Sequence, residues 1–401
     1  MFAVMTAFKE IIINNYQFFL IEGNTMETSP FLAKRNIGLD FLRAILILEG
    51  VLYHAARSLP GDNNKWYYIA DKNESVGFSA LIEFVHTFRM EAFFFLSGMF
   101  SAMVILRKGK AFFIDNRKKR VLLPLVGAFA FIPPVMYLIT AFIDGETITN
   151  NGLLHSWGYL HHLWFLVSLS IMSLIIPVSW CEKISLWFRA LPLPVIAALV
   201  IIACNFFFVV KFLVKDWGEL VALLPVTARF FIYYVAGYAL YVNRDQIPQI
   251  KTSFILKSWL LLPFGLMTYL SFYFILDRQI EGVVKYIPTL IASVFSVLFS
   301  FWLVFFFEKM AIKESKAVKL VVDSALVVYI MHYPVVIFLS WYADSWLGKA
   351  WPLSYVATIT LIGLAVSFLL YVGVNKSKVL SMIFGLKKSS IRSSIFPQRS
   401  E

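Results

Sequence analysis

The apolar stretch from Gly38 to Ser58 carries an arginine, Arg43, and a histidine, His54, eleven residues apart. At about 100° per residue that spacing makes three turns, which predicts a helix holding both side chains on one face, about 16 Å apart along its axis. A guanidinium can hold an anion or an oxygen that is gaining charge, and an imidazole can take a hydroxyl proton near neutral pH. Such groups are costly in lipid unless they face a bundle interior or a water-filled cavity, so a polar face on a membrane helix points to a functional site. A second apolar stretch, FVHTFRMEAFFFLSGMFSAM, adds His86, Arg89 and Glu91. His86 and Arg89, three residues apart, neighbour each other on a helix, whereas Glu91 points away from Arg89 and needs another partner. Glu49 lies about 240° round the first helix from Arg43 and is expected to pair with another helix.

Three further segments carry candidate groups. RKGKAFFIDNRKKRVLLP is basic, and its Arg117 and Arg120 adjoin an apolar stretch, where arginine can reach inward and hold phosphate oxygens bidentately. Its plainer reading is a membrane anchor and topology signal. HSWGYLHHLWFL places His155, His161 and His162 beside Trp157 and Trp164. Adjacent histidines point in different directions and no carboxylate is near in sequence, so the segment is a weak metal site. An interfacial aromatic belt accounts for the tryptophans, with His162 turning into a shared cavity as the other reading. In YIMHYP, Pro334 should free backbone groups near His332 and kink its helix, as cavity walls often do. Arg229 lies in the middle of another apolar stretch, and Asp323 reads as a helix cap. Ser97–Gly98 reads as a close helix contact, because Ser97 has neither a neighbouring base nor a sharp turn that would make it a nucleophile.

The elements that must position these groups are membrane helices. Of 401 residues 60% are apolar and 15% charged, more apolar surface than one soluble core can use. Apolar runs near 38–58, 79–106, 121–143, 159–180, 192–212, 220–242, 257–276, 287–307, 321–341 and 353–375 predict an all-α, polytopic membrane bundle of about ten transmembrane helices. Placing both termini inside puts 25 of the lysines and arginines in cytoplasmic segments and seven outside, so the expected orientation is N-in and C-in. Residues 1–36 form an expected cytoplasmic tail, with Met26 as an alternative start. Residues 37–376 form the membrane domain, and 377–401 a basic cytoplasmic tail. No cleavable signal is expected, since Lys9 and Glu10 break the first apolar run. The net charge of +12 is explained by this topology and not by nucleic acid. Cys181 and Cys204 supply neither a disulfide framework nor metal spacing. Short outside loops leave no room for a soluble catalytic domain, and no internal repeat supports a transporter.

LDFLRAILILEGVLYH, with arginine, ten residues and histidine, resembles the signature of the integral-membrane acyltransferase family three. FRMEAFFFLSGMFS, the Arg117 to Pro124 segment, HLWFL and YIMHYP follow in that family's order, so the resemblance covers about residues 36 to 376. The pairing of FVHTFRMEAFFFLSG with HLWFL is most similar to a subgroup that succinylates osmoregulated periplasmic glucans. The resemblance implies a multi-pass protein of the bacterial inner membrane that takes an acyl group from cytoplasmic acyl-coenzyme A, succinyl or acetyl, and places it on a glucan hydroxyl in the periplasm. The donor is a substrate, and no permanently bound cofactor or metal is expected. His54 is then the expected base and Arg43 orients the donor or holds its charge. His86 and Arg89 line the same cavity, with a succinyl carboxylate as counter-ion for Arg89. Arg117 and Arg120 hold coenzyme A, while Asp40, His162, Trp164 and His332 contact substrate. Partners compatible with this role are the lipid bilayer, an acceptor sugar, a second copy of the chain or other glucan-synthesis proteins. The rival readings are acetyl transfer to another envelope polysaccharide or lipopolysaccharide, an anion or sugar transporter using the same charges, and a structural or sensory membrane protein.

Overall fold

The computed structural model describes residues 36–60, 66–71, 75–247, 258–310, 312–347 and 351–386. The N-terminal tail before Asn36, with Met26, and residues 387–401 of the C-terminal tail lie outside the described residues. The helices are α1 Ile37–Ala56, α2 Val76–Arg117, α3 Leu123–Asp144, α4 Asn150–Ser156, α5 Trp164–Ser170, α6 Val178–Ala190, α7 Leu193–Val214, α8 Glu219–Val242, α9 Leu261–Asp277, α10 Ile287–Lys309, α11 Lys316–Leu347, α12 Pro352–Lys376 and α13 Lys378–Ile383. Among the described residues there is no strand, so the all-α expectation holds. Among the described residues seven helical stretches are long and apolar enough to cross a membrane, by length and composition. Against the ten expected spans, those at 79–106 and 121–143 fall in one stretch, 76–144. The span at 257–276 is the shorter 17-residue α9. The first, α1, carries Asp40, Arg43 and Glu49 within its length.

Local chemistry sets the ends and bends. The Asn36 side chain caps α1 by accepting from Leu39 N at 3.0 Å, and its amide donates to Glu308 O at 3.0 Å, which ties α1 to the end of α10. Gly38 lets the two backbones touch, because a Cβ there would collide with Phe307 O. In α2 the backbone breaks at Gly109, whose φ of 83° and ψ of 163° suit glycine. The chain folds back there, and Arg117 reaches Ser101, each eight residues from the pivot, at 2.8 Å. A π-helical turn, Lys118–Leu122, then leads into α3. Helix α6 is not one of the membrane-crossing stretches, and it shows Trp180, Leu186 and Trp187 outward while burying Cys181 and Ser185. Burial pushes the Cys181 thiol up to about 12, so this cysteine stays a protonated packing group. Where a tail was expected after residue 377, Ser377 caps the short α13, Phe384 is buried and Ile383 packs against Gly127.

The closest contact in the bundle is the crossing of α2 and α8. A Cβ on Gly98 would collide with the Tyr234 carbonyl, and one on Gly237 with the Phe95 carbonyl, so each glycine receives the other helix's backbone. Rings of Phe94, Phe165 and Phe230 pack beside it, with Phe94 stacked on Phe230 at 4.9 Å. Ser97 is buried and its carbonyl accepts from Ser101 Oγ, in keeping with a packing role. On the other side, α1 and α11 meet through Ser58 Oγ, which donates to Ser340 Oγ at 3.0 Å, and Tyr355 of α12 donates to Ser340 O at 2.7 Å.

Gly98→Leu should therefore force the two backbones apart at a cost of about 3 kcal/mol or more, lowering the melting temperature and the monodisperse yield in mild detergent. Gly109→Ala has open space around it and only the positive φ to oppose it, so it should cost about 1–2 kcal/mol in the same assay.

Candidate functional site

A cavity of about 550 Å³ opens at the end of the bundle remote from Asn36. Seven residues singled out by sequence line it: His54 from α1, His86, Arg89 and Glu91 from α2, His162 from the 3₁₀ turn His161–Leu163, Trp164 from α5 and Arg229 from α8. Arg89 is 5% exposed and is accommodated by Gly50, where a Cβ would come within 2.7 Å of its Nη1. Its guanidinium lies over the Tyr53 ring at 5.1 Å, and it forms no ion pair among the described residues. The His86 ring stacks on the other aromatic neighbour it shares, Tyr53, with centroids 4.1 Å apart.

His332 stands behind the wall, its ring 5.3 Å from that of His54 and 5.4 Å from that of His162. Pro334 has no N–H to give the carbonyl four residues before it, Ile330 O, and His162 Nε2 supplies that hydrogen bond at 3.1 Å. The Tyr329 hydroxyl donates to His162 O, and His332 Nδ1 donates to Tyr329 O. Carbonyls only accept, so each ring has its proton on the bonded nitrogen when neutral, leaving His332 Nε2 and His162 Nδ1 as lone pairs. Both are buried without a hydrogen-bond partner, as is His54 Nδ1. His332 Nε2 faces α1, since a Cβ on Gly50 would lie 3.9 Å from it. His86 Nδ1 is likewise unpartnered, so four unengaged imidazole nitrogens lie on the cavity wall or just behind it. Among the described residues no group of three or more histidine, cysteine or acidic side chains is arranged to hold a metal.

The acids near the cavity are partnered. Glu91 has the separate partner its helical position required, Arg229 Nη2 at 2.8 Å. Glu83 pairs with Arg57 at 3.2 Å, and both Glu219 oxygens lie 3.2 Å from Leu160 N. Glu49 departs from expectation: among the described residues it makes no ion pair with another helix, and Arg89 interacts with it only from beyond pairing distance. Lys211 was counted among outside-loop lysines, yet it belongs to α7 and lines the cavity. A lysine embedded in VVKFLV was the signal that could have revealed it.

The remaining candidates lie elsewhere. Arg43 pairs with Asp40 at 3.7 Å and covers the Phe100 ring at 5.2 Å, three turns from His54, so the shared face of α1 serves two places and not one cavity. Arg117 turns inward to Ser101 and lies over Phe113 at 5.0 Å, within electrostatic reach of Arg43. Arg120 stays exposed, contrary to the expectation that it reaches inward. His161 bonds to the Tyr67 hydroxyl at 2.7 Å, whereas Trp164, on the cavity wall, stacks on Phe230 at 5.7 Å.

Pro334→Ala would return an N–H to Ile330 O and compete with His162 for it. The expected result is a fold of equal or greater thermal stability in which His162 is released, seen as a changed His162 side-chain NMR signal and reduced activity.

A family model described as an acyltransferase domain matches residues 36–372. Curated relatives include the Glucans biosynthesis protein C of Shigella dysenteriae serotype 1 and that of Escherichia coli strain SMS-3-5, each 24% identical over 366 residues, covering 83% of this chain and 92% of the relative. No solved structure matches the chain. With most of its length matched by that one model and apolar helices through the same residues, the chain belongs to acyltransferase family three and is a membrane acyltransferase.

Proposed function

We propose that this enzyme is an O-acyltransferase of the bacterial inner membrane, N-in and C-in, that moves a succinyl group from cytoplasmic acyl-coenzyme A to hydroxyls of a periplasmic glucan. The observation that carries the reading is the meeting of unengaged His54 and His332 nitrogens with the unpaired Arg89 at a cavity. The name of the relatives supports a glucan acceptor, and the excess of basic residues in the assigned cytoplasmic segments supports the orientation.

In this reading the acceptor oxygen attacks the thioester carbonyl carbon while His54 Nδ1 takes the hydroxyl proton. Arg89 stabilises the negative carbonyl oxygen of the tetrahedral intermediate. The carbon–sulfur bond then breaks and the proton passes to the coenzyme A thiolate. His332, held in one tautomer by Tyr329 O, presents Nε2 as a second proton acceptor beside His54. Asp40, Arg43, Arg117 and Arg120 form the donor end, where the two inner guanidiniums hold phosphate and Arg120 adds long-range attraction. Trp164 and His162 shape the acceptor end. The donor's flexible arm would have to cover the axial distance of about 16 Å between Arg43 and His54.

The first test is mass spectrometry of periplasmic glucans from cells lacking the protein, complemented with wild type or with His54→Ala at matched membrane levels. Succinyl substituents should return with wild type and fall by about 100-fold or more with the variant. Glucans unchanged by wild type would refute the acceptor, and a fully active His54→Ala would refute the base. In membranes, Arg117→Ala with Arg120→Ala should raise KM for the acyl-coenzyme A about tenfold while the acceptor KM holds, because charge-assisted phosphate contacts are lost. Unaltered donor KM would leave that segment as a topology signal alone.

A further inference from the structure

The charges on the cavity wall do not cancel locally. Glu91 is bound to Arg229, Glu83 to Arg57, and Glu219 to the Leu160 N–H, whereas Lys211 has no acidic partner among the described residues. Lys211 lies on α7 within electrostatic reach of Arg229 on α8. Arg229 spends its Nη2 on Glu91, and its buried Nε has no hydrogen-bond partner. His86 lines the same cavity as Arg89, Arg229 and Lys211 and lies within electrostatic reach of all three. Of these two neighbouring cations only Arg229 is paired with a carboxylate, and a partly desolvated cation pair favours a further carboxylate that can pair with both.

We propose that Lys211, with Arg229, binds a carboxylate carried by the transferred acyl group and thereby selects a dicarboxylic acyl group over acetyl. The proposal rests on the acyl-transfer reading above and gives that reading a specificity determinant. Lys211 and Arg229 line the same cavity as Arg89 and His54, so a succinyl thioester with its carbonyl beside Arg89 and His54 would carry its free carboxylate, two methylene groups on, within that cavity. Acetyl ends at the methyl group and leaves the cations unpaired, so it gains nothing from them. Lys211 takes no part in the bond changes. The acceptor oxygen still forms the new ester bond, the carbon–sulfur bond still breaks, and the proton still moves through histidine.

The test measures coenzyme A release by the full-length protein in lipid nanodiscs with a neutral glucan oligosaccharide as acceptor, comparing succinyl-coenzyme A with acetyl-coenzyme A. Lys211→Gln should lower the ratio of the two kcat/KM values, succinyl over acetyl, by about 10- to 100-fold, and Lys211→Arg should restore most of it. Equal losses with both donors, at unchanged melting temperature, would overturn the selectivity role. An unchanged ratio would overturn it as well. If the effect of Lys211→Gln arises only with an acceptor bearing phosphate or uronic acid, the anion belongs to the acceptor and the acyl assignment falls. Wild-type protein that releases no coenzyme A from either donor would instead overturn the proposed reaction, and this inference with it. That outcome is separated from the others because it needs no variant.

Discussion

The site depends on the backbone contact between α2 and α8 at Gly98 and Gly237. Lipid tails are as apolar as leucine, so helices in a membrane gain little from hiding apolar side chains and associate through close packing and polar contacts. Glycine at both crossing points lets carbonyls of Tyr234 and Phe95 approach the opposite helix directly. That crossing fixes the register in which Glu91, seven residues before Gly98, meets Arg229, eight residues before Gly237. A buried pair needs such a fixed register, because leaving either charge alone in the interior costs about 3–5 kcal/mol. The ion pair then supplies one wall of the cavity, and Arg89, two residues before Glu91, is delivered to the opposite side of the same helix.

Glycine does a related job in α1. Gly50 makes the space for the Arg89 guanidinium and brings it alongside His332 Nε2, while Tyr53 lies under the charge. A larger residue at position 50 would separate the arginine from the histidines it accompanies. The same helix carries Arg43 three turns away, among Asp40, Phe100 and the returning Arg117. The helix therefore bears two polar stations, with Leu46 between them in the same buried cluster as the phenylalanines of α2. The spacing holds the two stations about three helical turns apart.

Much of this was legible in sequence because helical period and the cost of buried charge are local rules. The face shared by Arg43 and His54, the adjacency of His86 and Arg89, and the need of Glu91 for a distant partner follow from position on a helix alone. The identity of that partner, Arg229, does not, since it depends on how α2 and α8 cross. Lys211 was lost among loop lysines because it sits at the end of the apolar run 192–212, where a charge reads as the start of a loop, whereas α7 continues past it to Val214. Arg120 was placed inward by its neighbourhood, but the π-turn Lys118–Leu122 rotates it outward while Arg117 stays in. Glu49 was assigned a helix partner by charge balance, and the bundle instead leaves it near Arg89 at longer range. The family motifs were readable because their order survives where overall identity has fallen to 24%.

Pro334 shows how a disruption in one helix becomes an ordering device for another. A proline inside α11 deprives Ile330 of its usual donor, and an unsatisfied carbonyl at membrane depth costs several kcal/mol, about as much as a helix kink. His162 Nε2 fills that role, which fixes the imidazole's orientation and proton position from outside its own helix. Tyr329, five residues before the proline, adds a hydrogen bond to His162 O and accepts one from His332 Nδ1. Two histidines on different elements are thus oriented by one irregular turn of α11. Each presents its free nitrogen to the space beside His54 because its other nitrogen is committed to backbone. The geometry that makes the cavity basic is consequently a property of main-chain hydrogen bonding as much as of the residues that line it.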